Sequence, residues 1–322
     1  MEKLDKKDRK ILTILAQNPR ISYTELAKHI LLSKNATKYR LDNLIKEGIV
    51  ERILPIIHYL KLGLTTYDVF LKCNPVKETK QNIERYLSTQ QNIIWSASVF
   101  GQHYDYFFEL ICKTPFELDK IMTEIIQLLG ESFQEFRTII GTRRVKIQPL
   151  VEELQEAVTY KPEPAVIPNL TPVKLDALDK QILQELCKDG RATYLDIALK
   201  LKTTLQTVRN RMNRMIENTT ILKFMPEYGY KKLGYVNYIL LLKTRQVSED
   251  LLKVFFDKQG TVKLALHVVN ANELELFICV HHPDQLEKLI NDLKEEFPGK
   301  IAEVEFMHMT KELKLDFFPE GI

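Results

Sequence analysis

Leu4-Asp5-Lys6-Lys7-Asp8, running on to Lys61-Leu62-Gly63, returns 171 residues later as Leu175-Asp176-Ala177-Leu178-Asp179, running on to Lys232-Leu233-Gly234, with no gap in the alignment. Sixteen of the 60 aligned positions are identical, among them Leu4/Leu175, Asp8/Asp179, Ile11/Ile182, Arg20/Arg191, Tyr23/Tyr194, Ala27/Ala198, Arg40/Arg211, Pro55/Pro226 and Gly63/Gly234. Solenoid units repeat about every 20 to 50 residues, so a match of this length is a duplicated domain and not a stacking module. The chain carries two copies of one device.

Each copy opens with three short helical patterns. Asp8 and Asp179 stand where a first-turn carboxylate suits the helix dipole, ahead of apolar Ile11, Leu12, Leu15 and Ile182, Leu183, Leu186. A turn follows at Asn18-Pro19 and Asp189-Gly190, and a second helix from about Tyr23 and Tyr194. Ser33 and Thr204 are natural N-caps for a third, whose apolar positions Leu41, Leu44, Ile45 and Met212, Met215, Ile216 recur at helical spacing. A strand-like run, Ile49 to Ile57, comes after Gly48. This is helix-turn-helix order with a wing.

Downstream the period changes. Strand patterns at Tyr67 to Lys72, Ile93 to Phe100, Tyr106 to Ile111 and Arg137 to Ile147 alternate with helices near Gln81 to Thr89 and Phe116 to Leu129. The second copy repeats this with strands at Tyr238 to Lys243, Val262 to Val269, Leu274 to Val280 and Ile301 to Met309, and helices near Ser248 to Asp257 and Pro283 to Glu296. The order is β-α-β-β-α-β, a ferredoxin-like split motif. Between the copies, Tyr160 to Pro172 holds four prolines, which fix φ and remove amide donors, so it reads as an extended connector. The expected fold class is α+β, two winged helix-turn-helix heads and two ferredoxin-like βαββαβ sensor domains in tandem. The expected domains are 1–63 (head 1), 64–154 (sensor 1), 155–173 (proline-rich linker), 174–234 (head 2) and 235–322 (sensor 2).

A chain of 322 residues with 45% apolar and 28% charged residues is ordinary globular material, and a net charge of +3 announces no global field for nucleic acid, so any basic patch is local. Cys73, Cys112, Cys187 and Cys279 stand alone, without CxxC spacing or a His partner, which argues against structural zinc and a disulfide framework and for reduced thiols. The charged start MEKLDKKDRK is unlike a signal peptide, and no apolar run approaches a membrane span. The expectation is a cytoplasmic protein with no metal, no cofactor and no membrane partner.

With Leu41 turned to the core, the outer face of the third helix carries Asn35, Ala36, Tyr39, Arg40, Asn43 and Lys46; the equivalent face of copy two carries Gln206, Thr207, Asn210, Arg211, Arg214 and Glu217. In a major groove, Arg reads guanine and Asn or Gln reads adenine through bidentate hydrogen bonds. From Ser33 to Glu47, Lys34, Lys38, Arg40 and Lys46 against Asp42 and Glu47 leave +2; from Thr204 to Glu217, three arginines against Glu217 also leave +2. The candidate DNA-binding residues are Ser33, Lys34, Asn35, Tyr39, Arg40, Asn43, Thr204, Gln206, Thr207, Asn210, Arg211 and Arg214, with Arg20, Arg52, Arg191 and Lys223 as added backbone contacts. The competing reading of Arg40 and Arg211 is an ion pair with a carboxylate inside the head. Only these two match among the readers, so unlike half-sites are expected in place of a strict palindrome. Trp95 and the aromatics around it read as core.

The segments LDKKDRKILTILAQNPRISYTELAKHILLS and RLDNLIKEGIV, LDALDKQILQELCKDGRATYLDIALKL, and the turn Gly101-Gln102-His103-Tyr104-Asp105-Tyr106 resemble the leucine-responsive regulator (Lrp/AsnC) family of prokaryotic transcription regulators. The resemblance covers nearly the whole chain twice. It implies DNA-binding heads and effector-sensing, oligomerising β-rich domains, normally one of each per subunit, so the fusion is expected to form an intramolecular pseudo-dimer that can assemble further. It also implies a pocket at the Gly101 to Asp105 turn for a small-molecule effector such as an amino acid. Gly101 permits the turn and Asp105 offers a carboxylate to an ammonium, with His103, Tyr104 and Thr138 as further candidates. For Asp105 a loop-stabilising role is the alternative. The second copy reads Asn270-Ala271-Asn272-Glu273 at this turn, without the glycine or the Asp-Tyr.

Two other classes stand beside the regulator. Siroheme decarboxylases resemble the same two-domain architecture, but their histidine- and arginine-rich strand motif is not matched; the nearest segment is His103-Tyr104-Asp105-Tyr106-Phe107. The third class is a module whose helix-turn-helix folds touch protein partners.

Overall fold

A computed structural model describes residues 4–158, 171–269 and 272–319. The first copy runs α1 (Lys6–Gln17), α2 (Tyr23–Ile30), α3 (Lys34–Lys46), β1 (Val50–Ile57), β2 (Thr65–Cys73), α4 (Lys77–Thr89), β3 (Ile93–Gly101), β4 (Tyr106–Cys112), α5 (Pro115–Leu129), β5 (Phe133–Ile139) and β6 (Gly141–Ile147). The second runs α6 (Ala177–Lys188), α7 (Tyr194–Lys200), α8 (Leu205–Glu217), β7 (Ile221–Tyr228), β8 (Val236–Thr244), α9 (Glu249–Asp257), β9 (Val262–Val268), β10 (Glu273–Val280), α10 (Pro283–Glu296) and β11 (Ile301–Leu315). The compact units do not follow the tandem order. Heads gather with heads, residues 1–62 and 148–235, and sensors with sensors, residues 63–147 and 236–322.

In the head unit, α1 and α6 start alike. Asp5 and Asp176 are N-caps, and the third helical residues, Asp8 and Asp179, reach back to the cap amides in a capping box. Ile11, Leu12, Ile14, Leu15, Leu26, Ile30 and Leu41 are completely buried, the three-helix core that the spacing predicts. The wing is different from the expectation. β1 and β7 pair antiparallel with each other, and the register sets Leu54 opposite Met225, which are equivalent positions of the repeat. A local twofold axis therefore passes between the two copies, with Ile53 facing Pro226 and Pro55 facing Phe224.

Reciprocal contacts repeat that symmetry. The Arg20 guanidinium donates to the carbonyls of Gly190 and, at 2.9 Å, Ala192, and lies over the Phe224 ring at 4.8 Å; Arg191 donates to Pro19 and, at 2.9 Å, Ile21, and lies over Tyr23 at 5.2 Å. Arg20 and Arg191 thus brace one head against the other and do not project to DNA as the sequence reading has it. Lys61 is buried and donates to the carbonyl of Asn218, at the end of α8; Lys232 donates at 2.8 Å to the carbonyl of Glu47, at the end of α3. Each lysine caps the other copy's helix C-terminus, where the helix dipole favours a cation. Gly190 is held against the wing: its N–H meets the Ile53 carbonyl at 3.0 Å, and a Cβ there would fall 2.2 Å from that oxygen.

In the sensor unit the strands form one nine-stranded sheet in the order β5-β2-β4-β3-β11-β8-β10-β9-β6. Each sensor supplies the ferredoxin-like quartet, β5-β2-β4-β3 and β11-β8-β10-β9. The fourth strand is longer than the sequence reading has it. Arg137 to Ile147, read as one strand, divides at Ile140: β5 pairs with β2 of its own sensor, and β6 crosses to β9 of the other. β11 likewise runs past Met309 to Leu315, pairing first with β8 and then with β3 of sensor 1. Strand exchange in both directions leaves an inner core between the sensors, with Phe70, Val99, Phe107 and Ile139 meeting Ile239, Leu241, Val268, Phe277 and Met307. Trp95 packs there too, 5.1 Å from both Phe107 and Phe277 by ring centroids. The helices cover the outer faces over two further cores.

Of the expected linker, residues 159–170 lie outside the described residues, as do Asn270 and Ala271 of the second turn. Val173 donates its amide to the Lys61 carbonyl at 2.8 Å. Leu150, Val151 and Leu154, placed with sensor 1 by the sequence reading, are buried within the head unit, where Tyr230 Oη donates to the Pro149 carbonyl at 2.6 Å.

Replacing Arg20 by Ala strips two carbonyls of a charged donor, a loss of roughly 2–4 kcal/mol. The expected result in a thermal unfolding scan is a clearly lowered midpoint, with Arg20→Lys recovering only part of it, because an ammonium lacks the planar fork.

Candidate nucleic-acid interface and effector turn

The third helix of each head is positioned by its cap and its buried side. The Ser33 hydroxyl accepts from the Ala36 amide at 3.2 Å and Thr204 from the Thr207 amide at 3.1 Å. Thr37, Leu41 and Leu44 face the core in α3; Val208, Met212 and Met215 do so in α8. The outer face of α3 leaves Lys34, Asn35, Lys38, Tyr39 and Lys46 exposed, with Asn43 half-buried beside them. Tyr39 is 68% exposed, an aromatic held out into water.

The arginines behave otherwise. Arg40 Nη1 lies 2.8 Å from both an Asp5 and an Asp8 carboxylate oxygen, so it fastens α3 to the start of α1. Arg211 repeats this with Asp176 at 2.6 Å and Asp179 at 2.9 Å, and Arg214 adds a second clamp on Asp179 at 2.6 Å. The Arg40 and Arg211 guanidiniums are held above their ordinary range chiefly by these hydrogen bonds. The same pairing pulls the Asp176 carboxyl below its usual range. An identical arginine in both copies marks a shared structural clamp, and the carboxylates it needs are the two identical aspartates of the capping box. In copy two, Gln206 and Asn210 also bond each other at 2.7 Å.

The heads differ most beside the clamp. Where α2 and α3 present Thr24, Lys28 and Lys34, the equivalent positions of copy two are Leu195, Leu199 and Leu205, exposed by 52%, 70% and 42%. Head 1 therefore offers cations at these positions, and head 2 sets Lys200, Lys202, Arg209 and Arg214 around an apolar surface.

In sensor 1, Gly101 ends β3 opposite Met307 of β11, where a Cβ would come within 3.0 Å of the Phe306 carbonyl. Asp105 Oδ2 accepts from the Cys73 amide at 3.0 Å and lies 3.4 Å from Lys72 Nζ. Its carboxylate ties the turn to β2, which is the loop-stabilising alternative. His103 is exposed. Tyr104 is buried against Phe70, ring centroids 5.5 Å apart, and burial raises its hydroxyl above the ordinary range. Thr138 sits on β5 opposite Val69, its hydroxyl buried with no hydrogen-bond partner among the described residues.

Sequence reasoning passed over the groups around Tyr104. Arg137 reaches Glu273 at 2.7 Å and Glu305 at 3.8 Å, and Lys243 stands 4.0 Å from Glu273. With Glu303 they border a cavity of about 10 Å³, room for one water molecule, closed on its apolar side by Ile139, Leu241 and Val268. A zwitterion needs both signs close together, and this cluster holds them. The available signal was an isolated charge at an inward position of an apolar strand, as in Glu273-Leu274-Glu275-Leu276.

Among known proteins, a winged helix-turn-helix DNA-binding model matches residues 4–51 and an AsnC-type helix-turn-helix domain matches residues 175–216. An uncharacterized HTH-type transcriptional regulator of Pyrococcus abyssi is 32% identical over 133 residues, covering 39% of this chain and 81% of that protein. The regulatory protein AsnC of Haemophilus influenzae is 27% identical over 143 residues, 44% of this chain and 93% of its own length. A solved structure, the siroheme decarboxylase NirDL, superposes with a TM-score of 0.62 at 13% identity over 99% of this chain and 95% of its own, a likeness of fold. One regulator thus spans fewer than half of these residues, and both halves have the helix-turn-helix. The chain belongs to the Lrp/AsnC family of helix-turn-helix transcription regulators, with two copies of the family's plan fused end to end.

Proposed function

We propose that this protein binds double-stranded DNA in a sequence-dependent way as a transcription regulator, presenting its two heads to one duplex as a covalent pseudo-dimer, and that its sensor pair takes a small-molecule effector such as an amino acid. The observation that carries the reading is the β1–β7 ladder centred on Leu54 and Met225. It relates the two third helices by a local twofold axis, and a twofold pair of recognition helices matches the dyad of a duplex with two half-sites. In this reading 1–63 and 174–234 are the DNA-binding domains, with Leu150, Val151 and Leu154 packed in their unit, and 64–147 and 235–322 are the sensors.

The roles within the heads divide by availability. Lys34, Lys38 and Lys46 contact phosphates, and Asn35, Tyr39 and Asn43 face base edges. Arg40, Arg211 and Arg214 act through their aspartate clamps by holding the reading helix in place. Head 2 presents three exposed leucines where head 1 has Thr24, Lys28 and Lys34, so the two half-sites differ in sequence. For the effector, the one-water cavity widens and the Arg137–Glu273 pair parts, so that Arg137 or Lys243 meets a carboxylate and Glu273 or Glu305 an ammonium, beside Tyr104 and the Gly101 to Asp105 turn. The full-length likeness to a siroheme decarboxylase is one of fold and brings no chemistry with it.

Selection from random duplex DNA with the purified chain is expected to enrich a site of two unlike halves. Enrichment of no sequence, with or without amino acids, overturns the regulator reading, and a tetrapyrrole absorbance band in the purified protein favours an enzyme. Lys38→Ala is expected to lower affinity for every sequence alike and to flatten the dependence of log affinity on log salt by about 1, as one lost phosphate contact does. Arg40→Ala is expected to act through folding instead, lowering the unfolding midpoint of the head with a loss of roughly 1–3 kcal/mol.

A further inference from the structure

Three carboxyl groups meet inside the sensor pair, one inward position along the strands from the Arg137–Glu273 cluster. Asp68 on β2 and Glu109 on β4 are directly opposed in the ladder, so they project from one face with Cβ atoms about 5 Å apart. That face is the inner one, since Phe70 and Phe107, the neighbouring opposed pair on it, line the core between the sensors. Glu275 arrives from the second sensor on β10, between Leu241 of β8 and Leu266 of β9, two residues from inward-facing Phe277. Its side chain is 0% exposed, no N–H group among the described residues donates to either carboxyl oxygen, and the carboxyl within hydrogen-bonding reach is that of Asp68. Asp68 is 6% exposed.

Few charges face this group. β6 brings Arg144, exposed at the rim beside Glu109, and Gly141, which lays bare backbone against Asp68. β8 and β10 bring Lys243 and Glu273 one inward position further along, bound to each other and to Arg137 of β5. Glu305 of β11 is drawn to the same arginine, and β9 contributes Leu264, Leu266 and Val268. Asp68 and Glu275 face each other with no cation beside them, and two such carboxylates do not both stay ionised in an apolar interior.

We propose that Asp68, Glu109 and Glu275 form a proton-operated joint between the two sensors. With protons on the carboxyls, one acid's O–H donates to the next acid's oxygen and this end of the inner core stays shut. When the protons pass to water, like charges face one another and the strands part. Burial and mutual repulsion place the trio in range: Glu275 is pushed up to about 8, and Asp68 and Glu109 well above the usual carboxylate range. An acid whose folded value is raised binds its proton more firmly in the folded state. Its stabilisation is full below the unfolded value of 4.5, falls as pH rises, and is gone above about 8.

The test uses the full chain between pH 6 and 9. Amide exchange in β2, β4 and β10, corrected for its intrinsic pH dependence, is expected to speed up by as much as tenfold per pH unit up to about pH 8, as release of one proton requires, and then to level off. An infrared difference spectrum over the same range is expected to lose a carboxylic-acid carbonyl band. Glu275→Gln keeps the hydrogen-bonding shape without the proton, so it is expected to retain at pH 9 the protection that the unmodified chain has at pH 6 and to lose part of the band. Asp68→Asn gives a second reading should Glu275→Gln fold poorly. An infrared spectrum without protonated carboxyls at pH 6, or the same pH slope in both Gln and Asn variants as in the unmodified chain, overturns the proposal.

Discussion

Among the described residues, the strand that leaves each third helix has no partner in its own copy. β1 forms its ladder with β7, and the hydrogen bonds of each depend on the other. Single two-stranded ribbons are marginal in water, so this one requires support from either side. It receives that support reciprocally, through Arg20 and Arg191 on the turns and through Lys61 and Lys232 on the helix ends. The sensors obey the same rule. Each lends the second half of its last strand to the other's edge, β6 to β9 and β11 to β3, so edges that would be open to aggregation are closed from within the chain. Fusing the copies turns a bimolecular association into an intramolecular one, with the effective concentration set by the connection and not by how much protein is present.

This dependence explains which repeat residues are identical. Asp5 and Asp8, with Arg40, form a cap and a clamp in one; Asp176, Asp179 and Arg211 form its double. Arg20, Arg191, Lys61 and Lys232 cross from copy to copy, so a change in either copy loosens both. Residues on the outward faces carry no such double duty. Thr24, Lys28 and Lys34 can therefore become Leu195, Leu199 and Leu205 without disturbing the scaffold.

Much of the fold was legible because its signals are local. Helical spacing, the Ser33 and Thr204 caps, and the β-α-β-β-α-β order are each written in a window of ten to twenty residues, and they appear where expected. What escaped depends on long-range pairing. Nothing in Ile49 to Ile57 says that its partner lies some 170 residues on, and nothing between Arg137 and Ile147 says that the chain changes neighbours at Ile140. The same limit governed the site. Arg40 and Arg20 are cations at the surface-facing positions of short helices and turns, and composition alone does not distinguish one aimed at a phosphate from one already bound to Asp8 or to a carbonyl. Arg137 and Glu273 became visible as a pair only when the two sensors were set face to face.

Duplication also allows an asymmetry that identical subunits cannot have. Asp68 and Glu109 oppose each other in sensor 1; in sensor 2 the equivalent opposed pair is Ile239 and Phe277. Glu275, in turn, takes the place that Phe107 holds in sensor 1. In a homodimer every buried acid would appear twice, and twofold symmetry would impose the desolvation cost at both ends of the inner core. In the fused chain one end is acidic and the other is aromatic and aliphatic. The apolar end then supplies packing that is indifferent to pH, and the acidic end adds a term that varies with it. A joint of that kind loosens one side of the sensor pair while the other side holds, which a symmetric dimer of either sensor has no means to do.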